Sequence, residues 1–165
     1  MNFFAPTLFA AIAATPALAQ DMVFSMDATL ACLDQANLRQ DKVACIGAAA
    51  SQCIDENEGG SGTTGMSDCL NEELQYWKKR MDESYASGLA HQAAFDAEHN
   101  AGGTRESTMA EKFEAMHAAW VPFSVAACNY EVGQWGDGTG ALPAAVGCEM
   151  HMTAEQTLLI EDFDN

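Results

Sequence analysis

The side chains in this chain with chemistry to offer are six cysteines, four histidines and 24 acidic residues. Cys32, Cys45, Cys53, Cys69, Cys128 and Cys148 form an even set, with no C-x-x-C pair and no Cys/His quartet at zinc-finger spacing. That pattern reads as disulfides formed in an oxidising compartment. His91, His99, His117 and His151 are scattered, with no H-E-x-x-H or other metal-ligand spacing. His117 follows the apolar Met116 and reads as a half-buried or surface residue rather than a ligand. Ser124 lacks the G-x-S-x-G context that turns a serine into a nucleophile. Pairs of carboxylates are unavoidable among so many acids and select no site. No convergent catalytic, cofactor or metal set emerges, so the chain reads as a non-enzyme.

The charge balance narrows the partners. A formal net charge of −17 excludes ordinary nucleic-acid binding, which needs Lys and Arg to replace the counterions on phosphate. It also argues against anionic membrane surfaces. Two explanations remain open, a cationic partner drawn in by the field or adaptation to a saline habitat.

Residues 1–19, MNFFAPTLFAAIAATPALA, are apolar, uncharged and closed by Ala17-Leu18-Ala19, the small-x-small pattern of a signal peptidase site. Pro6 and Pro16 cut the run short of the roughly 20 apolar residues that span a bilayer, and Asp21 follows with no basic flank. Gln20 offers no thiol for lipid attachment. The expectation is a cleaved signal peptide over 1–19 and a periplasmic or secreted domain over 20–165, without membrane insertion.

The elements that must position these residues are helical, because three- and four-residue apolar spacing dominates and strand alternation is nearly absent. Asp27 is placed to cap a short first helix with Leu30 and Leu33 inward. After NLRQD, one second helix is expected, with Val43, Ile46, Ala50, Cys53 and Ile54 on a single stripe; together these make an N-terminal helical hairpin over 20–57. NEGGSGT (57–63) is a loop by composition. Thr63 or Thr64 then caps a long helix whose Met66, Leu70, Leu74, Trp77, Met81, Tyr85 and Leu89 form one face, with Gly88 as a weak point. Asn100-Ala101-Gly102-Gly103 ends it. A further helix carries Met109, Phe113, Met116 and Trp120, and Pro122 predicts a kink or an early end. A short last helix is expected after Thr153 as its N-cap, with Leu158, Leu159 and Ile160.

The short connection at 101–104 makes the two long helices antiparallel neighbours. Cys69 and Cys128 then lie at the end of the bundle away from that turn, with Cys53 and Cys148 near them. Cys32 and Cys45 flank the first helical turn and could staple it. A local Cys128–Cys148 bond contributes about 3 kcal/mol by loop closure, and Cys69–Cys128 competes with it. The fold class is all-α: a disulfide-stapled helical bundle built on a long antiparallel helical hairpin, with a Gly-rich loop, 133–140, at one end.

TTGMSDCLNEELQYW (63–77) with Tyr85, AAWVPFSVAAC (118–128) with its Trp eight residues before a Cys, and the glycine-rich 133–140 followed by Cys148 and Thr153 resemble, in order and spacing, the blocks of the LprI-like lysozyme inhibitor domain. The resemblance covers about residues 53–165. It departs at His117, where that family usually has Gln, at Ser124 and Val125, where it has Arg-Asp, and at Gln156, where it has Arg.

The resemblance implies an inhibitor of lysozyme, an enzyme class that is often basic and cuts glycan with two carboxyl groups in a cleft. An acidic inhibitor is drawn to such a partner by long-range attraction that salt screens. Trp77 and Trp120 read as core. Trp135 has glycine neighbours that supply no helical stripe to pack it, and Trp is enriched among binding hot spots. Tyr130, Glu131, Trp135 and Asp137 are therefore the residues expected to enter the cleft of a basic lysozyme. The alternative is a non-inhibitory periplasmic binding or envelope-stress module in which the loop is structural.

Overall fold

The computed structural model describes residues 22–99, 102–103 and 108–163. The expected signal peptide lies outside them. The described residues form six helices and no strand: α1 (Asp27–Gln35), α2 (Arg39–Ala44), α3 (Ala48–Glu56), α4 (Thr63–His99), α5 (Met109–Gly133) and α6 (Ala141–Phe163). Disulfides join Cys32 to Cys45, Cys53 to Cys69 and Cys128 to Cys148, with Cα separations of 5.6, 5.7 and 5.5 Å. The local alternative for Cys128 is the one formed, because Cys69 is held by α3.

The apolar stripe of α4 meets two clusters. Leu74 and Trp77 pack with Ala50 of α3 and with Met150, Ala154 and Leu158 of α6. Met81 packs with Phe113 of α5 and Ile160 of α6. Helix α6 thus belongs to both clusters and runs along α4 in the same direction, from Gly147 beside Leu70 to Glu161 paired with Arg80. Along α5 the order is opposite: Asp96 meets the first residues of α5, while Tyr85 stacks on Phe113 and lies against His117.

Helix ends and breaks explain where the sequence expectations fail. Asp27 does not cap α1; the cap position is Met26, with no side-chain bond, and Leu30 is exposed. The buried residue of α1 is Thr29, because its hydroxyl donates to Glu73 at 3.0 Å and accepts from Ala49 N at 2.9 Å. The single second helix is instead α2 and α3, broken at Gly47, whose φ of 89° only glycine adopts readily. Thr63 is the first residue of α4 rather than a residue before it. Asn100 and Ala101 lie outside the described residues.

Helix α5 opens on a capping box between Thr108 and Glu111, and Asp96 accepts from Met109 N and Ala110 N at 2.9 and 2.8 Å. Four N–H groups that a helix start leaves open thus find acceptors. Pro122 does not end α5, which continues to Gly133. Phe113 and Trp120 anchor the helix before the proline and Cys128–Cys148 anchors it after, so one missing ladder bond does not stop it. Thr153 is no N-cap. It is buried inside a 23-residue α6 that begins with Pro143 in its first turn, where a missing N–H is harmless.

Gly88 is a close-packing device rather than a weak point: a Cβ there would lie 2.7 Å from Phe113 Cζ. Glu73 is the other key residue. Its wholly buried carboxylate accepts from Thr29 Oγ1 (3.0 Å), Gly47 N (2.8 Å), Ala50 N (2.8 Å) and Trp77 Nε1 (3.1 Å). It caps α3 from another helix, placing negative charge where the dipole favours it. On the outer side of α4, Arg80 forms a two-pronged pair with Glu161 at 2.7 and 2.8 Å and lies over the Trp77 ring. The bond to Glu161 raises the guanidinium pKa still further.

Candidate functional site

Ala118–Cys128 carries no charged residue in a chain of net charge −17. A helix apolar all round is normally buried. Here the second half of α5 is not: Val121, Phe123, Val125 and Tyr130 are exposed at 46, 63, 57 and 75%, and Leu142 at the start of α6 at 55%. Apolar surface exposed in this way marks an interaction site.

One side of that stretch opens into a groove of about 620 Å³ between α4, α5 and α6. Its apolar lining includes Met81, Trp120, Val121, Val125, Val132 and Met152. The charged groups are Asp82 and the Lys78–Glu149 pair at 2.6 Å. His117, between the rings of Tyr85 and Trp120, closes one end. Burial lowers its pKa from the ordinary 6.5, with Asp82 opposing in part, and its Nδ1 is buried with no hydrogen-bond partner among the described residues. His117, Ser124 and Val125, three of the four departures noted above, all line this groove; the fourth, Gln156, is buried in α6.

Tyr130 and Glu131 occupy the last turn of α5, and Trp135 and Asp137 the turns that follow. All four are exposed. Glu131 accepts from Gln134 Nε2 at 3.0 Å. Trp135 is 50% exposed, because one face of its ring rests on Gly140, where a Cβ would collide with it. Gly136 supplies the left-handed φ of 53° that turns the chain. Trp120, expected in the core, is half-buried and shared between the second cluster and the groove. The groove itself was not foreseen, although the uncharged run 118–128 was its signal.

The arrangement can bind by burying apolar surface within an acidic field. Among the described residues no group of three or more His, Cys, Asp or Glu is placed to hold a metal ion. No helix among the described residues is long and apolar enough to cross a membrane.

Comparison with known proteins adds to this geometry. The model of one protein family, described as Lysozyme inhibitor LprI, matches residues 53–158. An uncharacterized 17.7 kDa protein in the puhA 5′ region of Rhodobacter capsulatus is 26% identical over 136 residues, spanning 81% of this chain and 82% of that protein. No solved structure matches the chain.

Proposed function

The chain belongs to the lysozyme inhibitor LprI family, and from that premise we propose that it is an exported inhibitor that binds a basic lysozyme and blocks its glycan cleft. The family is one of inhibitors rather than catalysts, and three disulfides fit an oxidising compartment outside the cytoplasm. The long antiparallel hairpin of α4 and α5 would act as the scaffold, and the Gly-rich loop after it as the inserted element. The observation that carries this reading is that the exposed aromatics Tyr130 and Trp135 lie within the segment closed by the Cys128–Cys148 bond. Anchors tethered in this way lose little freedom on docking. Glu131 and Asp137 add negative charge next to them, suited to a basic partner.

The test is lysis of peptidoglycan by a basic lysozyme in the presence of the oxidised mature protein. Tyr130→Ala and Trp135→Ala should each raise the inhibitory concentration, and the pair together by about a hundredfold, the scale of a lost hot spot. Full inhibition by the folded double variant would remove the loop from the mechanism. One observation favours the non-inhibitory binding or envelope-stress module: Trp135 already rests on Gly140, a contact that serves a purely structural turn. That reading predicts no inhibition of any lysozyme and no loss of other binding on replacing Trp135.

A further inference from the structure

We propose that the groove between α4, α5 and α6 is a docking site for a cationic amphipathic helix, a peptide seated apolar face down on Val121 and Val125. The groove follows α5 from His117 to Val132, about 22 Å of helix, which is long enough for anchors at i, i+3 or i+4, and i+7 of a bound helix. Its apolar lining includes two methionines, Met81 and Met152, whose unbranched side chains adapt to different partner shapes. The α5 wall of the groove lies in the uncharged run 118–128, so a partner's apolar face seated on Val121 and Val125 strips no charge of α5 of its water.

Charge selects the occupant. Lys78 is engaged by Glu149 at 2.6 Å, leaving Asp82 to set the sign of the lining, and the surrounding body carries −17. A second copy of the chain would bring the same negative charge to the same face and be repelled. A neutral helix would gain burial alone. A cationic helix gains burial on one face and attraction on the other, with faster encounter.

The test uses a fluorescently labelled synthetic peptide of about 18 residues, ~27 Å as a helix, with Leu at i, i+3, i+4 and i+7 and Lys elsewhere. A scrambled peptide of identical composition is the control, both at about 0.15 M salt, where the Debye length is ~8 Å. The patterned peptide should bind the oxidised protein at least about tenfold more tightly than the scrambled one. Val125→Glu and Val125→Lys should both weaken it about tenfold, while Ala93→Glu on exposed α4 should not. Val125 is more than half exposed, so these variants fold, and circular dichroism checks that they do. Equal binding of the scrambled peptide, or tighter binding by Val125→Glu, would mean adsorption to a polyanion and overturn the proposal. Concentration-dependent self-association abolished by Val125→Glu would assign the face to a second copy and overturn it equally. Lysozyme inhibition is measured separately on Val125→Glu, and retained inhibition with lost peptide binding separates this site from the loop.

Discussion

Glu73→Gln isolates the buried carboxylate that ties α1, α3 and α4 together. Its Oε1 accepts from Thr29 Oγ1, Gly47 N and Trp77 Nε1, and its Oε2 from Ala50 N at 2.8 Å. Glutamine keeps one acceptor oxygen. With that oxygen in the place of Oε1, the amide NH₂ points at Ala50 N–H and leaves a buried donor without a partner, costing about 1–3 kcal/mol. The three remaining bonds lose their charge assistance and roughly half their strength. Relief from burying a charge, worth a few kcal/mol, opposes this. The net expectation is a loss of about 2–3 kcal/mol. Glu73→Leu should cost more, roughly 4 kcal/mol, since two of the orphaned donors are backbone groups at the start of α3 that no side-chain change removes. Urea unfolding of the oxidised protein at pH 7 reads this directly. With a slope of about 2 kcal/mol/M, Glu73→Gln should move the midpoint down by about 1 M. A Glu73→Gln midpoint within about 0.2 M of the parent, or a Glu73→Leu protein as stable as the parent, would refute the assignment of Glu73 as the cap of α3.

Gly88→Ala should destabilise despite the better helix propensity of Ala, about 1 kcal/mol, because the new methyl meets the Phe113 ring and overpacking costs about 1–3 kcal/mol; calorimetry should show a lower Tm, partly restored by Phe113→Leu. Gly140→Ala should displace the Trp135 ring, read as a red shift of tryptophan emission that is absent when Trp135 is already replaced. His117 is held neutral by burial, its pKa lowered from 6.5. Its contribution to stability is therefore complete above that value and is lost as pH falls through the lower folded value. Melting temperature measured from pH 7.5 downward should fall more steeply below pH 6.5 for the parent than for His117→Gln, and parallel curves would contradict this.

The long elements were legible because their signals are local. The spacing of Leu74, Trp77 and Met81 announced the buried face of α4, and Phe113 and Met116 that of α5. What escaped depends on residues far apart in the chain. Glu73 sits in the polar run Asn71-Glu72-Glu73, which looks solvated until Gly47 and Ala50 are brought to it. The same approach fixes Gly47 in its left-handed turn and splits what the stripe from Val43 to Ile54 presented as one helix. Thr153 has the side chain of a cap, but α6 starts a full 12 residues earlier at Ala141, and its Thr153 carbonyl accepts from Thr157 instead. The groove escaped for a related reason: Trp120, Val121 and Val125 are an ordinary apolar stretch until α4 and α6 leave a gap beside them.

Lysozyme inhibition itself is tested most directly by titrating the oxidised protein into chicken-type, goose-type and invertebrate-type lysozymes and following peptidoglycan lysis at about 0.05 M and 0.5 M salt, Debye lengths well above and well below 10 Å. The inhibitor reading predicts a stoichiometric endpoint with one class, weakened by salt and still present at the higher concentration. Inhibition confined to low salt, or absent for all three classes, would contradict it.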